Sequence, residues 1–457
     1  MKNLLTSTCR VLLIVLIKLQ PANAQYPYFN KLYNHTPTYS SLGSHVVFDS
    51  NKFLVTNEFK LYYPYREVAV LTILDSMGNV QLTKEIALPD SLRSTDFNII
   101  YHNNFFYLAF DFWNVYDTSD HLDTRKYALI KMDKYLDTLW LKYYDRADLT
   151  DEYCASITLL HDGLLLSGCA DNLGLSVWNS YHFMKVDYNG NQIWHKTYIE
   201  LSDHADIKSA IELPDYSIIA VGERFNYYDC VAFKLNSNGN LLWKKVYDNG
   251  MTESFERIIP THAGDGLIFS GYCNNNFDYT TESAPSPFIM KVNNDGVILW
   301  KKMISTQSGV AQSLYPLNNG NYITAYSTTS VGALYAEDTM HVCEFDDLGN
   351  LIIQKKLKSP KPDRRGLLFN IFPAPFGGFY MTGCGSLITI PWVTYIDRCY
   401  SQAPDSACVL SDVEYILQQE TYVSPSRPTH SIQKPCCIGT SMMPSKTPRF
   451  KCIMAWV

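Results

Sequence analysis

The chain is predicted to be all-β, a seven-bladed β-propeller with four antiparallel strands per blade. Three observations predict it. A turn phrase recurs seven times at nearly constant spacing, a second, alternating apolar phrase falls between its copies, and the composition favours strands over helices. The sequence holds 33 Tyr and 22 Phe but no long periodic runs of Ala, Leu, Glu and Lys. Aromatic and β-branched side chains suit a pleated, half-buried surface. With 46% hydrophobic and 18% charged residues, 457 residues can bury a large core and lack the composition of a disordered chain.

From the N-terminus, Lys2 and Arg10 precede an apolar run from Val11 to Ile17 and the small-residue site Ala22-Asn23-Ala24. This is the layout of a cleaved secretory signal over residues 1–24, its apolar part too short to span a bilayer. The mature chain is expected to start at Gln25, without the Cys that a lipoprotein anchor needs, and to be secreted or held at the cell surface. No later stretch approaches the roughly 20 apolar residues of a membrane helix.

The turn phrase reads LTILDSMGNVQL at Asp75, LIKMDKYLDTLW at Asp133, FMKVDYNGNQIW at Asp187, AFKLNSNGNLLW at Asn236, IMKVNNDGVILW at Asn293, VCEFDDLGNLII at Asp346 and VTYIDRCYSQAP at Asp397. Its spacings of 58, 54, 49, 57, 53 and 51 residues mark a repeat architecture. Between the copies lie phrases such as ITLLHDGLLLSGCA and IELPDYSIIAVGER. Each unit thus supplies a first strand like SAIELP, a second like SIIAVG, a third like CVAFKLN and a fourth like LLWKKVY. Asn-Gly or Asp-Gly between alternating apolar residues is a hairpin signal because Gly accepts the positive φ of a tight turn. Four such strands at this period describe a propeller blade.

The seventh unit shows no fourth strand, whereas YFNKLYNH at Tyr28 to His35 looks like a fourth strand without its turn. The N-terminal segment is therefore expected to close the ring as the outer strand of blade seven. The propeller is placed at 25–400. Residues 401–457, rich in Pro, Ser and Lys without a period, are read as a poorly ordered tail. Trp140, Trp194, Trp243 and Trp300, each seven residues after the repeated Asp or Asn, are expected to pack between blades rather than to hold a cofactor.

The leader ending ANAQ and the phrase FKLNSNGNLLWKKVY resemble the secreted β-propeller repeat proteins of Bacteroidota, over about Gln25 to Asp397. Such relatives often end in a sorting domain for type IX secretion, so the resemblance implies export and says little about activity. The sorting segment, with its NP turn and VYNxLG-like strand, is missing. Codons compatible with Ser441 to Val457, read one base earlier, allow YDAIKDASIQVYNGLG, which resembles that strand. The tail is accordingly read as a frameshifted remnant, in which Cys436, Cys437 and Cys452 carry no chemistry.

The formal charge of −7 becomes −10 once Lys2, Arg10 and Lys18 leave with the signal. Nucleic acid is excluded as a partner, because its binding rests on Lys and Arg neutralising phosphates. Cys154 and Cys169 flank the turn HDG symmetrically, and directly opposed positions of a hairpin lie within disulfide range; the alternative is a pair of buried free thiols. Cys399 and Cys408 could staple the propeller to the tail. The phrases DYNGN, NSNGN and NNDG lack the spacing of a calcium loop, and no zinc pattern, G-x-S-x-G elbow or cofactor motif is present. No metal, cofactor or catalytic residue is assigned, and whether the chain is an enzyme is left open.

In an antiparallel blade the short hairpin turns lie on one face and the longer connections on the other. Variable loops on a rigid scaffold are where binding usually resides. The long connections carry Tyr62, Tyr63, Tyr65, Trp113, Tyr116, Trp178, Tyr227, Tyr228, Phe277, Tyr279 and Tyr335, of which Tyr63, Tyr65, Trp113, Tyr116, Trp178, Tyr227, Tyr228, Tyr279 and Tyr335 are the candidate ligand-binding residues. Amphipathic aromatics beside Asn and Asp suit sugar rings or extended peptides. The expected function is non-catalytic recognition of a glycan, peptide or protein by a monomer, with a polysaccharide hydrolase or lyase as the alternative.

Overall fold

The computed structural model describes residues 30–32, 45–48, 52–59, 68–87, 92–94, 97–114, 125–144, 151–171, 180–200, 205–224, 229–248, 252–274, 286–305, 309–328, 339–358, 366–374, 377–385 and 391–396. All lie within Met1–Ile416, the first of two units; the second, Leu417–Val457, lies outside the described residues. So do the expected signal, the tail, and Cys399, Cys408, Cys436, Cys437 and Cys452.

Among the described residues every regular element is a strand. The first is β1 (Asn30–Leu32), followed by β2 (His45–Phe48), β3 (Lys52–Phe59), β4 (Val68–Asp75) and β5 (Val80–Ala87). Next come β6 (Leu92–Ser94), β7 (Asn98–His102), β8 (Phe105–Asn114), β9 (Lys126–Met132) and β10 (Thr138–Tyr144). Then follow β11 (Asp151–Leu160), β12 (Gly163–Asp171), β13 (Ser180–Val186) and β14 (Gln192–Ile199), and β15 (Ala205–Glu212), β16 (Ile218–Arg224), β17 (Asp229–Leu235) and β18 (Leu241–Tyr247). The next two groups are β19 (Thr252–Pro260), β20 (Gly266–Asn274), β21 (Ser286–Asn293) and β22 (Ile298–Met303), and β23 (Ser313–Pro316), β24 (Tyr322–Thr328), β25 (Thr339–Phe345) and β26 (Leu351–Lys358). The last are β27 (Gly366–Pro373), β28 (Phe379–Gly385) and β29 (Pro391–Ile396).

The expectation of seven blades of four strands each is corrected by the strand pairing. Six blades have that form: β2–β5, β11–β14, β15–β18, β19–β22, β23–β26, and β27–β29 completed by β1. The strands β6–β10 instead make a five-stranded sheet in which β6 and β7 both pair with β8. The physical reason is length: β8 runs for 10 residues, enough backbone for two short partners end to end. The N-terminal β1 pairs antiparallel with β29, Asn30 opposite Thr394 and Leu32 opposite Trp392, so the beginning of the chain supplies the outer strand of the last sheet.

The recurrent Asp or Asn has a clear physical task. Its side-chain Oδ1 accepts the backbone N–H groups two and four residues on, as Asp187 does from Asn189 and Asn191, both at 2.8 Å, and Asn236 does from Asn238 at 3.0 Å and Asn240 at 2.9 Å. The side chain thereby replaces water at turn donors the strands cannot reach. The following Gly meets two demands at once. Gly239 adopts φ +74°, and a Cβ there would lie 2.8 Å from Trp194 Cζ3 of the preceding blade. That Trp194 donates its indole N–H to the Ser237 carbonyl oxygen at 3.0 Å, and Trp300 does the same to Asp347 at 3.1 Å. The tryptophans thus clamp the turn of the next blade. The buried core lies between sheets: one cluster joins Tyr181 and Phe183 of β13 to Ile207, Ala220, Val231 and Phe233 of the following blade.

Of the two readings of Cys154 and Cys169, the disulfide is not formed. Both are free, buried thiols, because β11 carries one extra residue at Ala155, which sets Cys154 opposite Gly168 and Cys169 opposite Tyr153.

Candidate functional site in the central channel

The same extra residue recurs along the first strands of four blades. It is Ala155 in β11, Lys208 in β15, Glu256 in β19 and Phe369 in β27. A bulge turns the strand and re-aims its side chains. The strand opposite must yield room: a Cβ on Gly222 would lie 1.9 Å from the Asp206 carbonyl oxygen. This close approach explains the Gly that ends the second repeated phrase.

Two of these bulges carry charge and stand in neighbouring blades. The Lys208 ammonium lies 2.6 Å from Asp206 and 3.4 Å from Glu223. Water reaches it only in part, its side chain being 28% exposed. Burial disfavours the ammonium, but Asp206 and Glu223 outweigh that and raise its pKa well above the ordinary lysine value. Lys208 is therefore a fixed cation already neutralised by two carboxylates. Across the seam, burial raises the Glu256 carboxyl to about 7, opposed by the Lys208 charge and reinforced by Glu223. Its neighbour Arg257 donates from Nη1 to the Glu256 carbonyl oxygen at 3.2 Å, and burial lowers its pKa. Burial also raises the Tyr272 phenol, with help from Glu223 and Glu256.

Lys208 and Arg257 line a cavity of about 200 Å³ together with Asn98, Ile99, Ser156, Ile157, Thr158, Ser209 and Ala210. The lining comes from β7, β11, β15 and β19, the first strands of successive sheets, and Asn98, Ser156, Ser209 and Arg257 each pair with a residue of the second strand near its middle. The Thr158 hydroxyl donates to the Ala210 carbonyl oxygen at 3.2 Å, tying two blades together at the cavity wall. The site is polar, charged and preformed on strands rather than loops, which favours precise positioning.

Two other titratable clusters lie among the described residues. His182 and Glu152 lie 3.2 Å apart with side chains 0% and 2% exposed, beside the Tyr127 ring. His161, Asp162 and Glu212 bring ligand atoms within 4.8 Å of one another. Each already has protein partners, however: Glu212 accepts from the His161 backbone at 2.6 Å and contacts its ring at 2.8 Å, while Asp162 holds Lys185 at 2.8 Å.

Of the sequence-predicted binding residues, Trp113 falls on β8 opposite Arg93, with its side chain outside the described set; Tyr63, Tyr65, Tyr116, Trp178, Tyr227, Tyr228, Tyr279 and Tyr335 lie outside the described residues altogether. The channel residues Asp206, Lys208, Glu223, Glu256 and Arg257 were not anticipated. The available signal was a charged residue inside DIKSAIEL and SFERIIP, where ITLLHDG-type strands have small or apolar ones.

No known protein family matches the chain, and no curated protein matches it in sequence. Among solved structures it is similar to a protein of unknown function from Bacteroides caccae, at 13% identity, covering 60% of this chain and 91% of that one with a TM-score of 0.36. It is also similar to the GH93 α-L-arabinofuranosidase of Fusarium graminearum in complex with arabinobiose, at 11% identity, with coverage of 69% and 97% and a TM-score of 0.45. A luciferin-regenerating enzyme matches at 8% identity, with coverage of 66% and 91% and a TM-score of 0.37. These likenesses are of fold and say nothing of activity.

Proposed function

We propose that the chain is an exported β-propeller recognition module, secreted or held at the cell surface, that takes a glycan, peptide or protein ligand. The observation that carries this reading is the polar cavity in the channel wall, built on rigid first strands. The short hairpin turns are closed by their own Asp and Asn side chains and by the tryptophans of the preceding blade, which leaves them few free hydrogen-bonding groups. In the sequence the candidate residues Tyr63 to Tyr335, Trp113 on β8 apart, fall on the longer connections between second and third strands rather than on those turns. A ligand gripped there would insert one polar group into the channel.

A second reading, a hydrolase or lyase acting on polysaccharide, is favoured by one observation: Asp206, Glu223 and Glu256 converge on Lys208, and a carboxyl that titrates near 7 is suited to proton transfer. A glycan and peptide array with the mature chain, followed by product analysis of every hit, separates the two. Binding without turnover supports recognition, turnover that stops in Glu256→Gln supports the enzyme, and a blank array counts against both.

A further inference from the structure

Resting on the recognition reading, we propose that the channel cavity is a carboxylate-binding site, with Arg257 as the anchor for the acidic group of the ligand, either an acidic sugar or a peptide C-terminus. The charge balance points to a monoanion. Of the two cations in the lining, Lys208 is already compensated by Asp206 and Glu223 at 2.6 and 3.4 Å. Arg257 has the neighbouring Glu256 carboxyl, which burial pushes up to about 7, as its countercharge, and its one hydrogen bond to a described residue goes to the neutral Glu256 carbonyl. A guanidinium carries five N–H donors in a planar fork that matches a carboxylate in two-point geometry. Four donors therefore remain for a guest, and the Ser209 and Asn98 side chains on the adjoining walls add neutral partners.

Glu256 sharpens the choice of guest. Its carboxyl faces Lys208 and Asp206 of β15, Glu223 of β16, Tyr272 of β20, and Arg257 on its own strand. A dianion beside three carboxyl groups would meet strong repulsion, whereas a monoanion can be accommodated if Glu256 takes up a proton. Binding then draws a proton from solution at and above about pH 7, where free Glu256 has lost it, and affinity declines as pH rises through that value. The cavity, at about 200 Å³, is smaller than the sites that enclose drug-sized ligands. It suits a single acidic residue at the end of a larger ligand.

The test is calorimetric titration of the mature chain with galacturonate, N-acetyl-diglycine, galactose and inorganic phosphate at pH 6 and 8. Saturable binding of galacturonate or N-acetyl-diglycine, stronger at pH 6 and absent for galactose, supports the site, and the acid that binds identifies the source. Arg257→Gln should weaken that binding by about tenfold or more, with Arg257→Lys between the two, and unchanged melting curves show that both variants fold. Titrations in buffers of different ionisation enthalpy should reveal proton uptake that Glu256→Gln removes, an effect that a merely structural role for Glu256 would not produce. Equal binding of galactose, binding of phosphate alone, or full affinity in a folded Arg257→Gln variant would overturn the proposal. Array hits without carboxylate binding would overturn it and leave the recognition reading standing; carboxylate binding beside a blank array would do the reverse.

Discussion

The Tyr380 hydroxyl donates to the Ser76 carbonyl oxygen at 3.0 Å, joining residues 304 positions apart in the chain. Tyr380 belongs to the last sheet and Ser76 to the turn after β4, so this bond crosses the seam where the chain ends meet. With β1 paired to β29, it makes closure a property of both termini. Removing residues 25–35 is expected to lower the melting temperature of the whole domain in one transition. Tyr380→Phe should cost about 1 kcal/mol. An unchanged melting temperature for the truncation would refute the closure role of β1.

The turn glycines separate two sources of strain. Gly239 and Gly264 have φ of +74° and +68°, but a Cβ on Gly239 would meet Trp194 at 2.8 Å, whereas one on Gly264 meets nothing within 4 Å. Gly264→Ala should cost about 1–2 kcal/mol from backbone conformation alone. Gly239→Ala should cost clearly more, and chemical denaturation of the two variants measures the difference. Equal losses would show that the tryptophan clamp is soft.

Acid should loosen the turns before the core. Burial opposes ionisation of Asp187, yet hydrogen bonds from Asn191 and Asn189 and the Lys142 charge hold its pKa below the ordinary aspartate value; Asp346 is lowered in the same way through Asn350 and Leu348. A lowered acid pKa stabilises the fold above the unfolded value, and that stability is lost as pH falls through the folded one. Asn fills the same position at 236 and 293, so Asp187→Asn combined with Asp346→Asn should keep stability at pH 7 within about 0.5 kcal/mol and flatten its decline below pH 4. Thermal melts from pH 2 to 7 test this.

The five free thiols Cys154, Cys169, Cys230, Cys273 and Cys343 are buried, and burial raises the pKa of Cys169, Cys230, Cys273 and Cys343. A thiol held protonated and out of water reacts slowly. These cysteines should resist a thiol-specific reagent in the folded protein and react on unfolding. A reductant should leave the melting temperature unchanged, and a drop on reduction would contradict the free state of Cys154 and Cys169.

The repeat was legible because the turn uses an Asp or Asn acceptor, usually a Gly at positive φ, and in four phrases a Trp that packs on the next blade's turn, and each leaves a letter in the sequence. The first strand carries no such constraint at the bulge. Ala155, Lys208, Glu256 and Phe369 share no side-chain property, and only the Gly on the facing strand records the extra residue. The choice between a disulfide and two buried thiols stayed open for this reason, since a symmetric hairpin count cannot see a one-residue offset. The channel site escaped notice for the same reason: its members come from four strands far apart in sequence, and charge in a strand reads as a solvated face. The double pairing along β8 left no signal, because β6 and β7 are short and their separation is set by the strand they share.

The bulges give the channel a division of labour. The backbone offset is carried by the Gly on the neighbouring strand, so the bulge itself does not dictate the side chain that stands there. Ala155, Lys208 and Glu256 put a methyl, an ammonium and a carboxyl group in that slot in one molecule. A scaffold of this kind can exchange the chemistry of its interior one blade at a time.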